Sequence, residues 1–187
     1  MKNNLANMIC LDLFLANKNK QDYALLKELL TPSKSITTPI ISFDFYIDFF
    51  TEEIKNATRK KDIYAVKDFA TKFKWTNNFN EIFKNQTFDA IVLTNKKQEI
   101  IWVNDGFKKM TGYSKNYAIN KTPSFLQGEN TCEKTKTLIR KKINTNKPFK
   151  EIILNYKKDK TPYKCEINFY PLTYKNTTHF MALERAL

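Results

Sequence analysis

The chain has 187 residues, with 32 lysines and arginines against 19 aspartates and glutamates, so its formal net charge is +13. A hydrophobic content of 42% is enough for a folded core and excludes a disordered chain. Only 3 glycines occur, which excludes the glycine-rich phosphate loops of nucleotide-binding folds. The 3 cysteines are far apart and there is 1 histidine, so no zinc site forms at ordinary ligand spacing.

The first half of the chain is predicted to be helical, because apolar residues recur there at helical spacing. Thr31 and Pro32 end one of these helices, since the residue before a proline is pushed out of the helical region. Helices are predicted near 3–16 and 20–30, from Ser42 to about Asn56 with an aromatic face, from Lys61, and in a short stretch after Asn77. Residues 1–85 therefore form a helical N-terminal region.

The pattern changes near Thr87, where short apolar runs predict strands. The predicted order is two strands (89–94, 99–103), several short helices, a longer helix (131–146) and three strands (149–157, 161–171, 178–186). This order is typical of an α+β domain with one five-stranded antiparallel sheet and helices on one face. We assign this domain to residues 86–187.

The N-terminus contains a short apolar run, which Asp12 interrupts. It lacks the basic start and the cleavage site of a signal peptide, and no apolar stretch in the chain is long enough to span a membrane. We expect a cytoplasmic protein that makes no membrane contact.

The residues that fill this order resemble a PAS domain. The matching segments are Ile101-Trp-Val-Asn-Asp-Gly-Phe107, Met110-Thr-Gly-Tyr113, Phe125-Leu-Gln-Gly128, Asn155-Tyr156 and Tyr170-Pro171-Leu172. Within that family, the segment from Asn120 to Thr131 is most similar to the light-oxygen-voltage (LOV) branch, which binds flavin mononucleotide. The resemblance implies a PAS fold, an internal ligand cavity, and signalling through the sheet and the N-terminal helices, commonly as a dimer.

The same resemblance shows where this chain departs from the LOV branch. The photoactive cysteine of that branch corresponds to Pro123, which has no nucleophile, and the asparagine before it corresponds to Thr122. Two arginines that hold the flavin phosphate fall on Glu133 and Thr137, and a carboxylate there would repel a phosphate. These replacements predict that flavin mononucleotide is not held, so the cofactor is left unidentified.

Two polar contacts of the LOV branch are retained, at Gln127 and Asn155, whereas two others become Cys165 and Glu184. Strand alternation places Phe169 on the same inner face. The candidate ligand-binding residues are Thr122, Pro123, Gln127, Asn155, Cys165, Phe169 and Glu184. We predict no catalytic residue and no metal site, because no nucleophile–base pair stands out.

Two of these candidates have more than one interpretation. Cys165 is either a small buried core residue or a reactive thiol. Glu184 is either a cavity group that favours a cationic or hydrogen-bond-donating ligand or an exposed residue near the end of the chain. The single histidine, His179, is expected at the surface on the outer face of the sheet.

The outer face of the predicted sheet carries six apolar residues, Ile152, Leu154, Tyr156, Tyr170, Met181 and Leu183. A patch of this size is too large to leave exposed, so the helices of residues 1–85 or a second subunit must cover it. We therefore expect residues 1–85 to act as a cap and dimerisation region.

Residues 86–187 hold 19 basic and 9 acidic side chains, and the excess is concentrated between Lys134 and Lys164. This basic cluster is either a docking surface for an acidic partner or a solvated face. Nucleic acid is not favoured, because no helix-turn-helix or aromatic-lined basic groove accompanies the lysines.

We predict a non-enzymatic PAS sensor or adaptor that resembles LOV domains but lacks their photoactive cysteine. It would act as a homodimer and couple a small-molecule ligand, or a partner-binding state, to a separate signalling protein. The alternatives are a ligand-free dimeric interaction scaffold and a basic regulator that contacts nucleic acid.

Overall fold

The computed structural model describes residues 21–22, 43–84 and 86–187, with side chains described from Phe50 onward in the first long helix. The predicted helices near 3–16 and 20–30 lie outside these residues, apart from 21–22, which are helical. The chain divides between Tyr64 and Ala65 into two compact units. The unit that contains the sheet therefore begins before the predicted boundary at residue 86.

The N-terminal region contains one continuous helix, α1 (Phe43–Phe73), where two helices were predicted. The prediction of a break before Lys61 is wrong, because residues 57–60 contain neither glycine nor proline and so continue the helix. The aromatic face predicted for its first turns lies mostly outside the described side chains. The short helix α2 (Phe79–Phe83) follows Asn78, whose side chain caps it by accepting a hydrogen bond from the Glu81 backbone.

The sheet has five antiparallel strands in the spatial order β2-β1-β5-β4-β3, which confirms the predicted PAS fold. The strands are β1 (Ala90–Asn95), β2 (Ile100–Val103), β3 (Phe149–Tyr156), β4 (Pro162–Tyr174) and β5 (Asn176–Ala186). Between β2 and β3 lie α3 (Asp105–Thr111), α4 (Lys115–Ala118), a 3-10 helix (Pro123–Leu126) and α5 (Glu133–Asn144).

The corner between β2 and α3 depends on two small residues. The buried Asn104 side-chain oxygen accepts hydrogen bonds from the Ile91 N–H (2.9 Å) and the Phe107 N–H (3.1 Å), so it caps α3 and ties it to β1. A Cβ atom at Gly106 would lie 1.7 Å from the Asp89 carbonyl oxygen. Only glycine therefore allows the helix to begin this close to β1.

The inner face of the sheet forms the main core together with the short helices. Its fully buried members include Val92, Phe107, Leu126 and Cys165. These residues come from β1, α3, the 3-10 helix and β4, so the core holds the connecting segment against the sheet.

The outer face is covered beside β5 and open on β3. Met181 and Leu183 are 0% and 1% exposed, as expected for a covered face, whereas Ile152 on β3 is 47% exposed. The Phe73 ring lies 4.3 Å from the ring of His179. The Trp75 indole N–H donates to His179 Nδ1 at 3.2 Å. His179 lies on the outer face as expected, but these aromatic rings half-bury it, so it is not a freely exposed surface residue.

No helix in the described part of the chain combines the length and the apolar character needed to cross a membrane.

Candidate ligand-binding cavity

A cavity of about 260 Å³ lies between the inner face of the sheet, α5 and the segment around the 3-10 helix. Its wall mixes apolar side chains with a few polar and charged ones. The lining residues are Val92, Thr94, Gln98, Thr122, Pro123, Ser124, Leu126, Gln127, Lys136, Ile139, Arg140, Ile143, Phe149, Ile153, Asn155, Ile167, Phe169, Ala182 and Glu184. An apolar cavity with a few convergent polar groups is the usual form of a small-molecule site.

One wall is formed by the start of the 3-10 helix. Pro123 is its first residue, a position that suits the fixed φ of proline. The Thr122 and Ser124 hydroxyls lie 2.6 Å apart and hydrogen-bond each other, and the Gln127 N–H donates to the Ser124 carbonyl oxygen at 3.0 Å. These bonds hold a compact turn, with Gln127 completing the wall.

The opposite wall is the sheet, and its lining residues follow the predicted alternation. Ile167 pairs with Glu184 across β4 and β5, and Phe169 pairs with Ala182. Paired residues of antiparallel strands share a face, so all four side chains lie on the cavity side. The Phe169 ring stacks on Phe149 at 4.8 Å between centroids, which closes the β3 side of the cavity.

The structure brings six of the seven predicted site residues to the cavity wall, namely Thr122, Pro123, Gln127, Asn155, Phe169 and Glu184. Cys165 is not on the wall, since it is fully buried in the core behind it. Burial, and then the nearby Glu184 carboxyl, raise the pKa of this thiol, which suits a core residue and not a reactive thiolate. Whether the six wall residues bind a ligand stays a prediction.

Glu184 is the most perturbed group on the wall. It is 3% exposed, so the alternative of an exposed residue near the end of the chain is wrong. Burial raises its pKa from the ordinary 4.5 to about 7, while a hydrogen bond with Cys165 acts in the opposite direction. Its Oε2 atom is buried without a hydrogen-bond partner.

Two cations on α5, Lys136 and Arg140, line the cavity, and the sequence analysis did not predict them. Together with Ile139 and Ile143 they occupy positions three or four residues apart, which lie on one helix face. This spacing could have shown from the sequence that the four residues share a face of α5. It does not show which face of the helix packs against the sheet. Glu133, predicted at the phosphate clamp, is outside the wall and forms an ion pair with Lys136.

The wall does not fit the flavin chemistry that the resemblance implies. Within the described residues no thiol lines the cavity, because Cys165 is in the core and Cys132 is exposed before α5. The described wall therefore has no thiol that could add to a flavin ring.

The basic cluster is partly neutralised within the chain. Lys142 forms an ion pair with Glu151, and Lys150 pairs with Glu166 at 2.9 Å. In both pairs the carboxylate is more buried than the lysine, and the pairing reduces the charge available to a partner.

Comparisons with known proteins agree with this fold. The chain is 33% identical over 99 residues to a blue-light photoreceptor of Listeria monocytogenes, covering 50% of this chain and 39% of that protein. It is 35% identical over 87 residues to phototropin-1A of Oryza sativa, covering 46% of this chain and 9% of that protein. The chain thus spans less than half the length of either relative.

A solved structure of the LOV domain from the blue-light activated histidine kinase of Erythrobacter litoralis is also similar. It superposes with a TM-score of 0.51 at 25% identity, covering 55% of this chain and 98% of that one. These matches confirm the predicted likeness to the LOV branch. The PAS domain family model matches residues 89–184, which is more than half of the sequence. The chain therefore belongs to the PAS domain family.

Proposed function

We propose that this protein is a non-enzymatic PAS sensor that binds a small molecule in its cavity and transmits the bound state to a separate signalling protein. The observation that carries the proposal is the cavity of about 260 Å³, whose wall combines apolar surface with Glu184, Asn155 and two cations. A cavity of this composition favours a ligand over a core filled by its own side chains, which the scaffold alternative requires.

The absence of a thiol on the described wall supports sensing without a covalent photoadduct. The sensor would therefore respond to the presence of its ligand, in the cytoplasm, and not to light through a cysteine.

Strand β5 gives a physical route for the signal, because its two faces contact different parts of the molecule. Ala182 and Glu184 line the cavity on the inner face, and His179 contacts Phe73 and Trp75 on the outer face. A ligand that shifts β5 would alter the packing of the segment that follows α1. We assign that segment the role of coupling the cavity to the rest of the signalling system. It would pass the bound state to the second subunit of a homodimer and to a separate partner protein.

The first experiment is an absorption spectrum and native mass spectrum of freshly purified protein. We expect a bound small molecule of defined mass and no reversible bleaching of a flavin band in blue light. A flavin spectrum that bleaches and recovers would contradict the proposal that the protein senses its ligand without a covalent photoadduct. Protein that purifies empty and binds nothing in a compound screen would favour the ligand-free scaffold.

A pair of variants tests whether the ligand lies in the cavity. Ala182→Phe adds a ring to the wall and should abolish the bound mass, because protein interiors have little spare volume. Ile152→Phe adds the same bulk on the exposed outer face and should leave the ligand bound. Equal retention in both variants would place the ligand elsewhere and refute the proposal.

A further inference from the structure

The wall of the cavity contains a carboxyl group whose hydrogen bonds are incomplete. Glu184 is 3% exposed, lines the cavity and has an Oε2 atom that is buried with no partner. Buried polar atoms of native proteins are almost always paired, so such an atom calls for an explanation. A cavity beside it suggests that a ligand supplies the missing donor.

No group in the described part of the chain donates a hydrogen bond to this Oε2 atom. On β4 the neighbours are Cys165, a weak donor, and Tyr163, whose hydroxyl is buried without a hydrogen bond of normal geometry. Burial, and then the Glu184 carboxyl, raise the pKa of Tyr163. A side-chain hydrogen bond with Asn155 lowers it by a smaller amount. None of these groups hydrogen-bonds the Oε2 atom, so the carboxyl presents an acceptor that a ligand can pair.

The best match for two carboxylate oxygens is a pair of parallel N–H groups, since this arrangement makes two charge-assisted hydrogen bonds at once. We infer that the cavity binds a ligand one edge of which carries an amidine-type pair of N–H donors, held by Glu184. This inference rests on the proposed sensor function and names the chemical class of its ligand. An edge made only of carbonyl oxygens and ring nitrogens could accept one O–H bond from the protonated carboxyl, but it would leave the ionised carboxylate unpaired and repelled.

Binding of such a cation is coupled to release of a proton. Burial holds the Glu184 carboxyl protonated up to about pH 7, so below that pH the proton must leave for the solvent before the cation can pair. The other titratable or charged groups near Glu184 are Cys165 and Tyr163 on β4 and Asp89 before β1. The cavity wall adds the cationic Lys136 and Arg140 from α5, which would attract any acidic group at the other end of the ligand.

The test uses naphthalene-2-carboxamidine, a two-ring amidinium, and the isosteric naphthalene-2-carboxamide as its matched control. Each compound is titrated into the full-length protein by isothermal titration calorimetry. We expect the amidine to bind and the carboxamide, which replaces one donor with an acceptor, to bind at least about tenfold more weakly. The apparent Kd of the amidine should rise about tenfold for each pH unit below about 7 and level off above it.

Two variants separate recognition by Glu184 from general effects on folding. Glu184→Gln should weaken amidine binding at least about tenfold and remove its pH dependence, while carboxamide binding stays within about twofold. Glu166→Gln, on the outer face of the same sheet, should leave both affinities unchanged. Loss of carboxamide binding together with amidine binding in the Glu184 variant would indicate a structural role and overturn the inference.

Other outcomes distinguish this inference from the sensor proposal. A natural ligand without N–H donors, found bound by mass spectrometry and not displaced by the amidine, would overturn the ligand class while the sensor function stands. Equal affinities for the amidine and the carboxamide would do the same. A protein that binds no compound and purifies empty would overturn both.

Discussion

The buried carboxyl of Glu184 makes a quantitative prediction about stability. Replacing Glu184 with glutamine keeps the size and shape of the side chain, exchanges one carboxyl oxygen for an NH2 group, and removes its titration. In the wild-type protein, burial raises the pKa of this carboxyl from 4.5 to about 7. We therefore expect the Gln variant to gain stability relative to the wild type as the pH rises.

The sign follows from proton binding. Between pH 4.5 and about 7 the folded protein keeps the Glu184 proton while the unfolded chain has released it, so the free energy of unfolding falls as the pH rises. Each unit of pKa corresponds to about 1.4 kcal/mol, so the wild type loses about 3 kcal/mol between about pH 5 and about pH 8. Glu184→Gln should lose none of this amount, because glutamine does not titrate.

The measurement is urea denaturation at several pH values between these limits. The fluorescence of Trp75 and Trp102, the chain's 2 tryptophans, reports on the unit that contains the sheet. Burial lowers the pKa of His179, which reduces stability as the pH falls below 6.5, but this effect occurs in both proteins and cancels in their difference.

The control is Glu166→Gln on the outer face of β4. A hydrogen bond from Lys150, with help from Arg185, lowers the pKa of Glu166, so this group loses its stabilising effect only at acidic pH. Its variant should differ from the wild type by a constant amount between about pH 6 and about pH 8. If the Glu184 variant also differs by a constant amount across the whole range, the carboxyl is not in a charge-excluding site and the reasoning is refuted.

Three further substitutions test the contacts that hold the sheet to its connecting segments. Gly106→Ala should destabilise the protein by about 3 kcal/mol or more in urea unfolding, because its Cβ would lie 1.7 Å from the Asp89 carbonyl oxygen; a loss below about 0.5 kcal/mol would mean that the corner relaxes freely. Asn104→Ala should cost about 2 kcal/mol, since two backbone N–H groups lose their shared acceptor, and unchanged thermal unfolding would contradict this role. Trp75→Phe keeps an aromatic ring but removes the hydrogen bond to His179, so it should cost about 1 kcal/mol and raise the His179 pKa measured by NMR; an unchanged pKa would show that the indole does not shape that environment.

The strand pattern is the part of the fold that the sequence predicted best. Five strands were placed within a few residues of their bounds, and alternation put Ile167, Phe169, Ala182 and Glu184 on one face. Local chain geometry explains this success, since side chains of a strand point alternately to its two sides wherever the strand lies. The prediction of a helix break before Lys61 was wrong. Weak local signals do not end a helix in a segment that contains neither glycine nor proline.

The properties of the cavity depended on contacts between distant segments. The alternation could place Glu184 inside, but only packing of β4 and β5 against the connecting helices made it nearly inaccessible and raised its pKa. Likewise, the spacing of Lys136 and Arg140 was visible on the helix, but only the docking of α5 turned them toward the cavity.

The sequence by itself therefore determined the PAS fold, the inner and outer faces of its sheet and most of the residues around the cavity. The tertiary structure decided the burial and the raised pKa of Glu184, the two cations on the cavity wall and the half-burial of His179. The physical reason is that side-chain direction is set by the local backbone, whereas desolvation and electrostatic environment are sums over neighbours that come from remote parts of the chain.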